Sequence, residues 1–276
     1  MLKLTFLGIG VVALVAIVVV AASYVWFTGE ISREVDRLRA TALPPSPALV
    51  TEAAVAALPE PAQRYLHHAG VVGQPIPRLV TLRQKGRLRA STADNWMPFE
   101  ADETYSLNPP AFVWRASFPV PMAPVVLGRD EYYEGSGSIR MKMLALLPIA
   151  DEHGPEMGPA GLMRFLNEMM WFPAGLLGSN VVISPDGDGS FTATLTDHGL
   201  SAVATFFVDA DGQLVNFRAR RFSSATRALE TWETPVGRYG ELAGLRLPAT
   251  GSAVWKLPSG DLDYIELEVT GVAFEN

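Results

Sequence analysis

The sequence predicts a β-dominated α+β fold, in which a curved antiparallel sheet or half-barrel packs on one or two helices and follows a single transmembrane helix. Three observations support this prediction. Residues 4–27 form an uncharged apolar run. After residue 73, short segments with a period of two are joined by turn sequences. One segment among them has helical spacing instead, so the sheet is expected to curve around a helix.

Composition excludes several classes of function. The net charge of -7 and the pI near 5.2 argue against nucleic-acid binding, which requires a basic surface. The chain has no cysteine, which removes disulfides, thiolate zinc sites, thiol catalysis and a lipid-modified cysteine anchor. With 276 residues, of which 49% are hydrophobic, the chain is long enough for a sizeable core beyond the apolar run.

The apolar run is long enough to cross a bilayer, because about 20 apolar residues span a hydrocarbon core of ~30 Å. Tyr24, Trp26 and Phe27 stand at its end, where aromatic rings favour the headgroup boundary. The alternative is a cleaved signal peptide, with small residues at positions 21–23. Since the apolar core of a signal peptide usually has ~7–15 residues, the length favours a retained anchor.

The predicted organisation has four parts. They are a short tail at 1–3, the transmembrane anchor at 4–27, a Pro/Ala-rich linker with a short helix at 28–57, and a single β-rich domain at 58–276. Charged residues flank both ends of the anchor, and long domains are translocated largely regardless of charge. We expect the β-rich domain on the extracytoplasmic side of the cell membrane.

The domain is expected to begin with a compact helix, because Pro61 suits a first helical turn and Gly70 suits a C-terminal cap. A hairpin follows. Basic residues alternate over 83–89, and acidic residues alternate on one face of the next strand, Phe99–Leu107. We expect a ladder of cross-strand ion pairs on a solvated surface, with an anion-binding face as the alternative.

Two later hairpins have good turn sequences at residues 209–212 and 258–261. Strict alternation in the last strand predicts that Asp263 shares a face with Ile265 and Leu267. These hairpins extend the antiparallel meander, with one face buried and one face in water.

A helix at about residues 159–171 interrupts the strands. Arg164 and Glu168 stand four residues apart within it and can form an ion pair. Glu168 lies among methionines and aromatic residues, near a helix end where negative charge is disfavoured. Two interpretations stay open: a structural ion pair that fixes the helix on the sheet, and a polar group of raised pKa in a hydrophobic pocket.

The usual enzymatic signatures are missing from the sequence, including a GxSxG elbow, a Walker loop and an HExxH helix. The segment at 186–189 resembles the start of a calcium loop but lacks its later acidic ligand. No two histidines near an acidic group have ligand spacing. The sequence therefore predicts no metal and no cofactor.

Several short motifs occur in a fixed order along the chain. They are Trp96-Met97-Pro98-Phe99, Phe112-Val113-Trp114, Gly128-Arg129-Asp130-Glu131-Tyr132, Arg164-Phe165-Leu166-Asn167-Glu168 with Trp171-Phe172-Pro173, and Thr234-Pro235 with Gly237 before Trp255. Over roughly residues 58–274 this order resembles an uncharacterised bacterial family, a domain of unknown function. The family has no established activity, so the resemblance transfers no catalytic residue.

At the level of architecture, a curved sheet over helices is similar to the periplasmic lipoprotein-carrier (LolA-like) fold. That likeness implies a hydrophobic concavity, because those carriers hold acyl chains in one. The transmembrane helix departs from the pattern, since such carriers are free in the periplasm or carry a lipidated cysteine. Fold-level likeness does not establish function.

We expect a membrane-anchored binding protein that holds a lipid or other hydrophobic ligand on the concave face of the sheet. The residues expected to bind the ligand are Trp96, Trp114, Arg164, Glu168 and Trp171. No residue is assigned a catalytic or metal-binding role. The alternatives are a hydrolase-like enzyme that uses Glu168 and Arg164, and a structural or interaction protein of the cell envelope.

Overall fold

The computed structural model describes residues 2–44, 49–119 and 125–276. The helices in these residues are α1 (Leu2–Thr41), α2 (Glu52–Ala56), α3 (Glu60–Ala69) and α4 (Met157–Glu168), with 3-10 helices at Met169–Trp171 and Pro173–Leu177. The strands are β1 (Leu79–Leu88), β2 (Met97–Leu107), β3 (Pro110–Phe118), β4 (Val126–Tyr133), β5 (Ser136–Met143), β6 (Leu147–Glu152), β7 (Val181–Pro185), β8 (Ser190–Asp197), β9 (Leu200–Val208), β10 (Leu214–Ser223), β11 (Ala228–Glu233), β12 (Tyr239–Leu242), β13 (Leu245–Pro248), β14 (Thr250–Leu257) and β15 (Gly260–Glu275).

A 13-stranded antiparallel sheet dominates the fold, in the order β6-β5-β4-β3-β2-β1-β15-β14-β11-β10-β9-β8-β7. The sheet curls into a half-barrel, and β12 and β13 form a separate hairpin. Helix α4 crosses the inside of the curl, where it packs against β4 and β5 on one side and against β9 and β10 on the other. The predicted β-dominated α+β fold is therefore confirmed.

Two glycine contacts set the position of α4. A Cβ atom on Gly137 would lie 2.0 Å from the Met157 carbonyl oxygen, and one on Gly158 would lie 2.2 Å from the Gly135 carbonyl oxygen. Both distances are far below a van der Waals contact, so any side chain would push the helix away from the turn between β4 and β5. Glycine at both positions lets the helix start directly on that turn.

Aromatic side chains anchor the other end of α4. The Tyr105 ring lies 6.1 Å from the Phe165 ring and 4.9 Å from the Phe172 ring, measured between centroids. All three residues are fully buried. Since aromatic rings contribute large buried areas and prefer tilted contacts, this cluster holds the C-terminal half of α4 against β2.

Three predicted helices are present as α1, α3 and α4, and α1 differs from the prediction in length. Helix α3 ends at Gly70, which takes a left-handed conformation with φ of 79° as predicted for a C-terminal cap. Helix α1 is the one helix in the described residues that is long and apolar enough to span a membrane. It continues beyond residue 27, where the predicted anchor ends, so that residues 28–41 belong to the same helix.

The second half of α1 packs on the outer face of the sheet. Phe27, Ile31 and Leu38 are buried there, against apolar residues of β1, β3 and β4. Before Phe27, the helix projects away from the domain, and most of its side chains are exposed. The apolar and docked segments therefore form one continuous helix.

Buried ion pairs join α1 to β4 and β5. Arg129 lies 3.0 Å from Glu34, and Arg140 lies 3.0 Å from Glu34 and 2.7 Å from Glu30. The side chains of Arg129 and Glu34 are only 5% and 12% exposed. Removing one partner of such a pair leaves an uncompensated buried charge, so these contacts fix how the helix sits on the sheet.

The predicted ion-pair ladder uses a different strand. The register places Lys85 of β1 opposite Glu100 of β2, as expected for the hairpin. However, Lys85 pairs with Glu268 at 3.2 Å and Arg87 pairs with Glu266 at 2.7 Å, and both acids lie on β15. The prediction of β2 as the acidic partner was wrong because β1 lies between two neighbours, and the second comes from the far end of the chain.

The predicted face of Asp263 was also wrong. In the β14–β15 pairing, Ala253 faces Ile265 while Val254 faces Asp263, so one extra residue of β15, Tyr264, lies between the two pairs. Such a bulge shifts the alternation by one position. Leu262, before the bulge, and Ile265, after it, therefore both turn inward. Tyr264, the extra residue of the bulge, also lines the interior.

We expect Glu34→Ala to lower the free energy of unfolding by about 3 kcal/mol, because Arg129 and Arg140 lose their shared buried partner. The measurement is urea unfolding of the full chain in detergent, followed by tryptophan fluorescence. Glu275→Ala is the matched control: Glu275 pairs with Arg39 at 2.7 Å, but both side chains are more than one-third exposed. Its effect should stay within about 1 kcal/mol. Equal effects of the two variants would contradict a buried role for Glu34.

Candidate ligand-binding cavity

A cavity of about 400 Å³ lies between α4 and the inner faces of β1, β14 and β15. Its volume falls in the range of ~300–1,000 Å³ that is usual for small-ligand sites. Much of its wall is apolar and comes from Leu88, Phe118, Met141, Met170, Phe222 and Leu262. The polar groups are fewer and lie on α4 and the strands that face it.

Four of the five residues predicted to bind a ligand lie around this cavity. Trp114 comes from β3, Arg164 and Glu168 from α4, and Trp171 from the 3-10 helix that follows α4. The indole nitrogen of Trp171 donates a hydrogen bond to the Pro248 carbonyl oxygen at 3.0 Å, which fixes its ring. The structure therefore brings these residues together, and their role in binding stays a prediction.

Trp96 is placed outside the cavity. It lies in the connection between β1 and β2, where the guanidinium carbons of Arg87 and Arg89 stand 4.7 Å and 4.5 Å from its ring centroid. Both contacts are cation–π interactions on a partly exposed turn. A contact between Trp96 and a ligand in the cavity would need the ligand to extend beyond the cavity wall.

Arg164 is the centre of the polar cluster on the cavity wall. Its Nε donates to Glu168 Oε1 at 2.8 Å, so the predicted ion pair within the helix is present. Its Nη1 donates to Asp130 Oδ2 at 2.6 Å, and its Nη2 donates to Glu103 Oε1 at 2.8 Å. One guanidinium therefore holds three carboxyl groups, from α4, β4 and β2, in its fixed fork geometry.

A second set of hydrogen bonds fixes Glu103. The Trp114 indole nitrogen donates to Gln84 Oε1 at 3.1 Å, which orients the Gln84 amide. In that orientation Gln84 Nε2 donates to Glu103 Oε2 at 3.3 Å. Both oxygens of Glu103 thus accept hydrogen bonds from positioned donors, which favours its ionised form although its side chain is fully buried.

Three carboxyl groups around one arginine leave excess negative charge in a buried place. Burial raises the pKa of Glu103 and of Glu168, while the charge of Arg164 opposes the increase. Glu168 Oε2 is buried and has no hydrogen-bond partner within the described residues. Burial raises the pKa of Glu103 more strongly than that of Glu168. Both oxygens of Glu103 nevertheless face donors and Glu168 Oε2 faces none in the described residues, so we expect a proton of this cluster to reside on Glu168 Oε2, at the wall of the cavity.

A second arginine, Arg221 of β10, also lines the cavity. Its Nε donates to the Ala160 carbonyl oxygen at 3.1 Å, and its guanidinium carbon lies 4.7 Å from the Trp232 ring centroid and 5.7 Å from that of Trp255. Burial lowers the pKa of Arg221. Among residues 2–44, 49–119 and 125–276, no carboxylate forms a salt bridge with this guanidinium.

Sequence reasoning missed Glu103, Asp130 and Arg221. A signal for Glu103 was present, because Glu100 and Asp102 were placed on the outer face of β2 and strand alternation then turns Glu103 inward. Arg221 sits at an inward position between buried Ala219 and Ser223. A charged residue on the buried face of a strand needs a partner, and that requirement marks such residues as candidate site residues.

We expect the stability of the protein to decrease as the pH rises from about 4.5, because a carboxyl whose pKa is raised by folding stabilises the fold only while it is protonated. Glu168→Gln keeps a neutral group at this position. Its free energy of unfolding should therefore decrease less than that of the wild type between pH 4.5 and about pH 8. Urea unfolding of the full chain across this pH range provides the measurement.

Glu103→Gln is the matched comparison in the same cluster. A glutamine amide there would place a donor against Gln84 Nε2 or against Arg164, so we expect a loss of about 1–3 kcal/mol at neutral pH. If Glu103→Gln flattened the pH dependence and Glu168→Gln did not, the titrating proton would belong to Glu103 instead.

The chain is similar to two solved structures at low sequence identity. A DUF1329 family protein from Desulfovibrio piger is 9% identical, with a TM-score of 0.40 over 82% of this chain and 93% of that chain. A LolA superfamily protein from Nitrosomonas europaea is 11% identical, with a TM-score of 0.40 over 78% of this chain and 94% of that chain. No curated protein matches the sequence at a significant level.

The sequence also matches the model of a protein family. The match extends over residues 48–267 and thus includes nearly all of the sheet, α4 and every residue of the polar cluster. It confirms the resemblance to a family of unknown function that the order of motifs predicted. The chain belongs to the family of unknown function DUF6544.

Proposed function

We propose that this protein is a membrane-anchored binding protein that holds an amphiphilic, lipid-like ligand in the cavity beneath α4. The observation that carries the proposal is the cavity itself, a largely apolar space of about 400 Å³ with a few polar groups on one wall. Apolar walls with a small number of positioned polar groups are typical of small-molecule sites. An amphiphile satisfies both parts of such a wall.

The position of the cavity relative to α1 supports a ligand taken from the membrane. The Lys142 ammonium of β5 stands 5.0 Å from the Trp26 ring centroid and 4.6 Å from that of Phe27, so the end of β5 lies at the boundary of the apolar segment. The strand register places Phe118 and Met143 one residue beyond Lys142 in the same direction. Phe118 lines the cavity, which therefore reaches the membrane-proximal end of the sheet.

Exposed apolar side chains lie at the same end of the sheet. Val125, Leu146, Leu147 and Ile149 are 44%, 42%, 53% and 52% exposed. They come from the start of β4 and the β5–β6 hairpin, close to the Lys142 contact with α1. Exposed apolar patches mark surfaces that contact membranes or partners, and here the bilayer is the nearest apolar surface.

A hydrolase that uses Glu168 is the second candidate function. It is favoured by one observation: Glu168 faces the cavity and has a buried oxygen without a hydrogen-bond partner in the part of the chain that the structure describes, as a proton-donating acid requires. Binding explains more of the site, because Arg164 engages all three carboxyl groups and leaves none of them as a free base.

The extracytoplasmic side of the membrane remains the side predicted for the domain.

We expect the β5–β6 hairpin to contact lipid. Because the chain contains no cysteine, Leu147→Cys can carry a single environment-sensitive fluorophore on the full chain in lipid nanodiscs. Its emission should shift to the blue, and nitroxide-labelled lipids should quench it. Val182→Cys on β7 is the control, since Val182 is 62% exposed on the opposite edge of the sheet. Equal quenching at the two sites would contradict the proposed orientation.

We expect a photoactivatable acyl lipid in the nanodisc to label cavity peptides. Ala253→Phe should reduce this labelling about tenfold or more, because Ala253 is 5% exposed and lines the cavity, where a phenyl ring would occupy the ligand's space. Peptide mapping by mass spectrometry provides the measurement. The control is Val203→Phe on the outer face of β9, where Val203 is 50% exposed. Labelling confined to α1 in the wild-type protein would overturn the proposed function.

A further inference from the structure

The two arginines on the cavity wall differ in their partners. Arg164 contacts three carboxyl groups at 2.6–2.8 Å. Arg221 forms no salt bridge within the described residues, and the segments outside them, 45–48 and 120–124, contain no acidic residue. Asp130 and Glu168 attract the Arg221 guanidinium at longer range, but none of the described residues gives it a direct ionic partner. A cation beside a largely apolar cavity without a direct partner is unlike an ordinary structural arginine.

The Arg221 guanidinium is held in one orientation. Its guanidinium carbon lies over the rings of Trp232 and Trp255, and its Nε donates to the Ala160 carbonyl oxygen. The two tryptophans are themselves fixed, because Trp232 Nε1 donates to the Tyr264 hydroxyl at 3.1 Å and the Tyr264 ring stacks on Trp255 at 6.0 Å between centroids. A guanidinium fixed in this way is preorganised for a ligand.

The remaining donors of Arg221 are Nη1 and Nη2. No hydrogen bond from either nitrogen to the described parts of the chain accompanies the Nε contact. Two parallel N–H donors at the end of a guanidinium match two oxygens of a carboxylate or phosphate group. Apolar side chains of the same cavity, including Phe222 of β10 and Leu262 of β15, provide a surface for an alkyl chain.

Resting on the function proposed above, we infer that the cavity selects an anionic amphiphile, whose carboxylate or phosphate oxygens pair with Nη1 and Nη2 of Arg221 while its alkyl chain lies on the apolar wall. The ion pair gives Arg221 the direct anionic partner that the described residues do not provide. The cluster around Arg164 is already negative and therefore orients the anion toward Arg221 rather than toward α4.

The test compares three photoactivatable probes with the same 16-carbon chain: a carboxylic acid, an alkyl phosphate and a neutral alcohol. Each is added to the full chain in nanodiscs of zwitterionic phosphatidylcholine, and labelled cavity peptides are quantified by mass spectrometry. We expect the better of the two anionic probes to label the cavity at least about tenfold more than the alcohol. The stronger anion then identifies a fatty acid or a phosphate-bearing lipid as the source of the head group.

Arg221→Gln should remove the preference for anions, so that the acid and the phosphate label the cavity no more strongly than the alcohol does in the same variant. Arg221→Lys keeps the charge but loses the fork and the stacking, so an intermediate preference is expected, and this variant serves if Arg221→Gln does not fold. Arg218→Gln is the matched control. Arg218 lies on the same strand but pairs with Glu233 and is 52% exposed, so the preference should persist.

Two results would overturn the inference. Equal labelling by the acid, the phosphate and the alcohol in the wild-type protein would show that the cavity does not select charge. An undiminished anion preference in a folded Arg221→Gln protein would assign the selection to another residue. In both cases the cavity is still labelled, so the proposed binding function survives, whereas absence of cavity labelling by all three probes would overturn both.

Discussion

The contact of Arg164 with three carboxyl groups is the constraint on which the inside of this fold depends. It joins α4 to β2 through Glu103 and to β4 through Asp130. A buried arginine that is fully hydrogen-bonded tolerates little change in distance, because a lost partner would leave a buried charge. The helix is therefore held at a fixed distance from the sheet, and the cavity is the space that remains between them.

The cost of burying a charge without a partner also explains why the two arginines of the cavity are assigned different roles. Arg164 contacts three carboxyl groups, and burial raises the pKa of each of them. Arg221 lies over two aromatic rings and forms no salt bridge with the described residues. A buried charge that the protein satisfies contributes to structure, and a preorganised charge that it does not satisfy is suited to a ligand.

Outside the half-barrel, the docked half of α1 fixes the orientation of the domain relative to the apolar segment. The helix does not end where its apolar segment ends, and buried pairs from Glu30 and Glu34 fix its second half on β4 and β5. An apolar segment joined to the domain by a flexible linker would leave the cavity free to face any direction. With a continuous helix, the end of the sheet that carries Lys142 stays beside the apolar segment.

The sequence by itself determined the elements whose signals are local. The apolar run, the cap at Gly70, the period-two strands and the Arg164–Glu168 spacing each follow from residues close together in the chain, and together they predict the β-dominated fold with one central helix. The order of motifs also predicted the family.

What only the tertiary structure decided was the pairing of distant segments: β1 with β15, Arg164 with Glu103 and Asp130, and the docking of α1 on the sheet. Each of these contacts joins residues far apart along the chain, and no periodicity specifies which distant strand becomes the neighbour. Strand alternation could have marked Glu103 as inward-facing, but only the folded chain shows that Glu103 pairs with Arg164 and that Arg221 has no salt-bridge partner among the described residues.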